Sequence, residues 1–189
     1  MLIRREHKES KRRIGMPVLW LVYVFLVCIL VANIAINTSV IVNAEVAPVQ
    51  PDIRGLYGRY IDDVADRYHI CPELLEAMIE QESNGQADVV SAGGDVGLLQ
   101  INPKWHRDRM DKLGVTDLTD PYSNIVVAAD YLAELFEQYQ DLPMVLMTYN
   151  GSSDAEWRWQ SGSYTDYADT VMERTQELER SREDADRNY

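Results

Sequence analysis

The chain is poor in the residues that most often announce a chemistry. Its two cysteines, Cys28 and Cys71, cannot build a disulfide scaffold, since Cys28 lies inside an apolar run. The three histidines, His7, His69 and His106, stand far apart and no cysteine cluster joins them, so no metal-ligand spacing exists and no cofactor is implied. The glycines of Ala92-Gly93-Gly94-Asp95-Val96-Gly97 lack the Lys-Ser/Thr pair of a phosphate-binding loop, and no EF-hand pattern occurs. Internal repeats are absent. Basic residues are scarce after the N-terminal segment: residues 1–44 carry six basic and two acidic side chains, net +4, whereas residues 45–189 carry twelve and twenty-nine, net −17. Such an acidic body repels phosphate backbones, which excludes a general nucleic-acid binder.

What is present points to a folded domain behind an N-terminal address. An apolar content of 46% and 11 tyrosines exclude global disorder. Arg4, Arg5, Lys8, Lys11, Arg12 and Arg13 occupy a basic segment, residues 1–15, ahead of an apolar run over residues 16–36. As a helix that run is about 30 Å long, one hydrocarbon thickness. With the cationic flank inside, residues 45–189 lie outside the cell membrane. The run is long for a signal sequence and is read as a retained anchor. The alternative is secretion after cleavage near Ala44, where Val42-Asn43-Ala44 resembles a processing site. Val27 before Cys28 argues against a lipoprotein signal. Residues 37–54, with Pro48 and Pro51, read as a tether able to reach about 60 Å when extended.

Residues 55–175 read as a mainly α domain. Leu56, Tyr57, Tyr60, Ile61, Val64 and Tyr68 repeat at helical spacing, and Pro72 suits the first turn of a second helix ending near Ser83. Asn84 to Asp95 is a Gly-rich loop. A short helical piece is expected at Val96–Ile101, then a long helix from Asp120-Pro121. Met144–Tyr149 fits a buried short helix or strand. Asp166 to about Asp184 is a last helix, whose charged end, residues 176–189, is expected to be solvated and fraying.

One carboxylate lies on an unexpected face. On a helical wheel Glu82 falls within about 20° of Leu75, 60° of Ile79 and 40° of Met78. Glu73 and Glu80 lie roughly opposite, where solvated glutamates belong. A carboxyl facing apolar surroundings is expected to hold its proton to higher pH, as a general acid requires. The competing reading is a helix-end glutamate that turns to solvent.

The stretch ICPELLEAMIEQESNGQADVVSAGGDVGLLQINPKWH, residues 70–106, resembles the lytic transglycosylases with a goose-type-lysozyme-like catalytic domain. Glu82-Ser83 matches the family's E-S pair, and Gly97-Leu98-Leu99-Gln100-Ile101 its G-L-x-Q-I element. DPYSNIVVAADYLAEL resembles the following helix, and Thr148-Tyr149-Asn150-Gly151 the A-Y-N-A-G element. Their shared order and spacing make the resemblance specific over about residues 57–175.

The resemblance implies a lysozyme-like fold and a peptidoglycan glycan-strand lyase. It makes Glu82 the single acid/base at the bond between N-acetylmuramic acid and N-acetylglucosamine, closing a 1,6-anhydro ring without water. It implies that Gln100 binds sugar amides and that Tyr149 and Asn150 border the acid, the tyrosine hydroxyl orienting Glu82 or the substrate's acetamido group. Ser91 becomes a candidate hydrogen-bond partner of Glu82, and Leu99 a groove wall or a core residue. Tyr167 matches the late E-T-x-x-Y element, but this chain reads Ser163-Tyr164-Thr165-Asp166-Tyr167, so the glutamate is missing.

Two alternatives stay open at this point. GGDVGLLQIN also resembles the D-x-G-x-L-Q-I-N run of animal-type lysozymes, which would make Asp95 a second carboxylate and the enzyme a hydrolase. Asp95 is otherwise a turn residue after Gly93-Gly94. The other alternative is a weakly active wall-remodelling factor, held at the membrane for a secretion or conjugation machine. Trp105, Trp157 and Trp159 are candidates for stacking on sugars or for apolar anchoring.

Overall fold

The computed structural model describes residues 51–188. The basic segment, the 16–36 anchor, most of the tether, Cys28 and the site near Ala44 lie outside the described residues. Among the described residues there are seven helices and no strand longer than an isolated bridge: α1 (Ile53–Tyr68), α2 (Pro72–Ser83), α3 (Arg107–Leu113), α4 (Pro121–Tyr139), α5 (Leu142–Tyr149), α6 (Ala155–Ser161) and α7 (Asp166–Arg187). None of them is long and apolar enough to cross a membrane.

Local signals explain most of the boundaries. Asp52 caps α1 by accepting the Gly55 amide at 2.7 Å, so the helix starts within the segment read as tether. Ile53 is accordingly a core residue, 1% exposed. Pro72 and Pro121 occupy first-turn positions, where a missing amide hydrogen costs nothing. Asp120 and Asp141 cap α4 and α5, accepting from Ser123 and Met144, and the second cap makes 142–149 a helix rather than a strand.

Helix α2 is the central element. It packs on α1 and α7, while α5 contacts α4, α6 and α7. Leu75, Met78 and Ile79 of α2 join Ile125 and Leu132 of α4 and Leu146 and Met147 of α5 in the core. Burying such side chains stabilises each contact by roughly 1.5–3 kcal/mol before entropy is counted.

The structure corrects two expectations. Residues Val96–Ile101 form a turn, not a helical piece: Val96 and Ile101 pair as an antiparallel bridge, and Gly97 (φ +78°) and Gln100 (φ +46°) adopt left-handed conformations that no right-handed helix accepts. Nor are Glu73 and Glu80 solvated, although the charged end of α7 is itself helical and largely exposed. Helix α7 runs unbroken to Arg187 and lies over that face of α2. Arg174 donates to both Glu80 carboxylate oxygens, at 2.6 and 3.0 Å, and Arg182 ion-pairs with Glu73. Helical periodicity identifies the face of each acid, but not the arginine that arrives from a hundred residues away.

Candidate active site

Glu82 occupies the last turn of α2, two residues before Asn84, where the chain leaves the helix in a left-handed conformation. Tyr57 of α1 donates to the Gly85 carbonyl at 2.9 Å, and Ile53 packs so closely on Gly85 that a Cβ there would meet its Cδ1 at 2.6 Å. The helix end that carries the acid is therefore pinned from below.

Glu82 is half-buried and its Oε1 accepts from the Tyr167 hydroxyl at 2.7 Å. Tyr167 stands in the first turn of α7, beside fully buried Ala168 and after the Thr165 cap. The Glu82 carboxyl is held above the ordinary carboxylate range, chiefly by burial. The Tyr167 hydrogen bond opposes this shift, and the Asp95 charge adds to it. Among the described residues no arginine or lysine pairs with Glu82. The acid is thus desolvated, oriented and not neutralised by a cation.

The loop over residues 89–102 faces this acid. Asp95 accepts from the Ser91 hydroxyl at 2.6 Å and from the Asn102 side-chain amide at 2.8 Å, while Ser91 Oγ accepts from the Asp95 amide. The expected Ser91–Glu82 bond is replaced by this closed turn, because the Asp95 carboxylate stands nearer to hand in the loop. Both Asp95 oxygens are engaged inside the turn. Gln100 folds its amide nitrogen onto the Gly97 carbonyl at 2.9 Å, a polar clasp within the loop.

Leu99 has no exposed surface, so it is core and not groove wall. Its carbonyl accepts the Tyr149 hydroxyl at 2.8 Å, which commits that hydroxyl's proton to the loop. The Tyr149 phenol is nevertheless raised well above its usual range by burial and then by the charges of Glu82 and Asp95, which places the three groups in one neighbourhood. Asn150 is exposed at the end of α5.

Asn124 has a role that sequence reasoning missed. It is fully buried on α4, accepts the Leu99 amide at 2.8 Å and donates to the Val96 and Leu118 carbonyls at 2.8 and 2.9 Å. Its three bonds hold the turn that carries Gln100. A Cβ on Gly97 would lie 2.4 Å from the Asn124 nitrogen and 2.3 Å from the Leu118 oxygen, so only glycine fits. The one sequence signal was an asparagine on the apolar face of a long helix.

A second concavity, about 530 Å³, lies at the other end of α2 among Tyr68, Ile70, Cys71, Leu74, Phe136 and Leu142. The Cys71 sulfur lies 3.1 Å from Glu73 Oε2 and 3.4 Å from Glu179 Oε1, either of which accepts its single proton, and burial pushes its thiol up to about 12, which keeps it protonated and unreactive. Among the described residues no group of three His, Cys, Asp or Glu side chains is placed to share a metal ion.

Comparison with known proteins matches residues 59–171, well over half of the chain, to the Transglycosylase SLT domain. The chain belongs to this family. It is 32% identical over 99 residues to a transglycosylase of Enterobacteria phage PRD1, covering 52% of this chain and 36% of the relative. It is 36% identical over 85 residues to membrane-bound lytic murein transglycosylase F of Maricaulis maris, covering 45% and 18%. The chain spans little more than a third of the length of these relatives at most. An inactive mutant of the Pseudomonas aeruginosa lytic transglycosylase Slt superposes with a TM-score of 0.50 at 21% identity, covering 63% of this chain and 20% of that one, a likeness of fold. The helical lysozyme-like architecture expected from the sequence is the one observed.

Proposed function

We propose that this SLT-family protein is a lytic transglycosylase that cuts peptidoglycan between N-acetylmuramic acid and N-acetylglucosamine, with Glu82 as its acid and base. The observation that carries the reading is a half-buried carboxylate held by one tyrosine hydroxyl and, among the described residues, left without a cationic partner. Protonated Glu82 donates its proton to the bridging oxygen as the C1–O bond breaks, and the N-acetylglucosamine side leaves as an alcohol. The substrate's acetamido group stabilises the cationic C1. Glu82, now a carboxylate, takes the proton of the C6 hydroxyl, and O6 closes on C1. The proton lost in the first step is recovered in the second, so no water is consumed. Tyr167 steadies the carboxylate stage, in which its bond to Oε1 is strongest. Gln100 and Asn150 border the sugar-binding cleft, and Tyr149 shapes its floor.

Asp95 serves this reaction as a turn residue and as a fixed negative charge. Its two oxygens are bound by Ser91 and Asn102, which does not favour a second carboxylate free to activate water. The basic and apolar N-terminal segment supports membrane attachment with the domain outside, in keeping with the membrane-bound relatives; service to a secretion or conjugation machine adds a context, not a different chemistry.

The test is digestion of purified sacculi by the full-length protein, followed by mass spectrometry. New muramic ends one water lighter than reducing ends are expected, and none should form with Glu82→Gln. Reducing muramic ends would replace the lyase reading with hydrolysis.

A further inference from the structure

All three tryptophans among the described residues face outward: Trp105 is 73% exposed, Trp157 64% and Trp159 45%. Tryptophan is on average a strongly buried residue, so this pattern asks what the rings are for. Trp105 is the one that bonded neighbours tie to the loop that faces Glu82. The Asn102 side-chain amide donates to Asp95 Oδ1 at 2.8 Å and to the Gly93 carbonyl at 3.2 Å. The Asn102 carbonyl accepts the Trp105 and His106 amides, both at 3.1 Å, and its Oδ1 accepts the Lys104 amide at 3.0 Å. His106 stands edge-on to Tyr131 with ring centres 4.7 Å apart, and Tyr131 lies 5.5 Å from Tyr149. The backbone under Trp105 is therefore locked between the turn of Asp95 and the tyrosine that floors the cleft. Its ring stays open to solvent, with the Lys104 ammonium 4.6 Å from its centre.

A rigidly mounted, exposed aromatic ring next to the polar loop that faces Glu82 matches the apolar C–H face of a pyranose ring. The neighbouring ammonium supplies donors for sugar hydroxyls and for the lactyl or peptide carbonyl oxygens that flank it. We propose that Trp105 is an outlying sugar platform of this cleft, stacking on a pyranose of the glycan strand away from the bond that is cut. The proposal rests on the lytic-transglycosylase reading for its substrate class. An exposed Trp–Lys pair also suits a lipid headgroup surface, but here the pair follows directly on the loop that faces Glu82 and is bonded to its end through Asn102, which favours the glycan.

The test compares the full-length wild type, Trp105→Ala and Trp105→Phe on two substrates: long glycan strands stripped of stem peptides, and a tetrasaccharide of the same repeat. For Trp105→Ala, KM on long strands should rise about tenfold, the equivalent of 1.4 kcal/mol, with kcat and the pH profile unchanged. The tetrasaccharide, too short to extend beyond the sugars next to the cut, should be turned over as before. Trp105→Phe should restore most of the lost affinity. An unchanged KM on long strands would overturn the proposal, as would equal losses on both substrates or a displaced pH profile, which would mean damage to the Asn102 turn. A phenylalanine variant no better than alanine would overturn it too. So would loss of binding to anionic phospholipid vesicles with glycan KM intact. Quenching of tryptophan fluorescence by long strands is measured in Glu82→Gln with and without Trp105. Quenching that requires Trp105 would uphold the platform even if the wild type cut by another reaction.

Discussion

Four glutamates of α2 divide into two kinds, and the division locates the chemistry. Glu73, Glu76 and Glu80 lie on the side covered by α1 and α7, and each has a guanidinium: Arg182, Arg54 and Arg174. Glu82, on a different face of α2 and near the start of α7, has the Tyr167 hydroxyl and a neighbouring carboxylate instead. A buried carboxylate paired with arginine is kept ionised and serves the fold. One desolvated without a cation holds its proton to higher pH and can pass it on. Glu76 stands between these cases. Arg54 reaches it only at 4.0 Å, and burial lifts its carboxyl although the arginine opposes the shift. A tight pair, and not burial alone, separates a structural acid from a chemical one.

The largest effect expected from this contrast is at Glu82. Glu82→Gln should lower turnover by about 10³-fold or more while the circular dichroism spectrum stays unchanged. Its stability should differ from wild type with a definite sign. Because the folded protein holds the Glu82 proton more tightly than the unfolded chain does, wild-type stability falls as pH rises from the unfolded carboxyl range through the raised folded value. The glutamine variant lacks that decline, so above this window it should melt at the higher temperature of the two. A variant that melts lower at neutral pH would make Glu82 a structural acid like its neighbours.

The paired acids should behave in the opposite way. Arg174→Ala strands Glu80 beneath α7 and should destabilise the domain by about 1–3 kcal/mol, the arginine itself being partly exposed. Turnover at low temperature should fall less than twofold. Denaturant melts and initial rates separate the two outcomes, and loss of rate without loss of stability would blur the distinction drawn above.

Smaller effects should come from the groups around Glu82. Tyr167→Phe removes the hydrogen bond that favours the carboxylate, so the alkaline limb of the rate profile should move to higher pH while turnover drops about tenfold. Asp95→Asn removes a nearby negative charge, and the same limb should move to lower pH with the anhydro product unchanged. Opposite displacements in the two variants are the expected signature. A shift in one direction for both would mean that loop rearrangement, not charge, controls the acid.

The asymmetry of α2 was half visible in the sequence. Apolar spacing put Glu82 among Leu75, Met78 and Ile79, and the E-S, G-L-x-Q-I and Y-N-G elements gave it a family. The partners were not legible. Arg174 and Arg182 lie about a hundred residues from the acids they neutralise, in a stretch whose charge density reads as solvated surface. Tyr167 carries the contact to Glu82 although the glutamate of its motif is missing, because the Thr165 cap and buried Ala168 set the tyrosine by helix geometry alone. Val96–Ile101 looks helical by composition, yet Gly97 must pass within van der Waals reach of Asn124 and Leu118, a tertiary constraint. Spacing along one helix is readable; what another helix brings to it is not.

The central claim is that one acid without a cationic partner performs both proton transfers and that water takes no part. The most direct measurement is digestion of sacculi in water enriched in heavy oxygen, with mass analysis of the newly formed muramic ends. Anhydro ends free of the heavy isotope are expected, formed by the wild type and absent with Glu82→Gln. Heavy oxygen at C1 of new reducing ends, or cleavage that survives in Glu82→Gln, would contradict it.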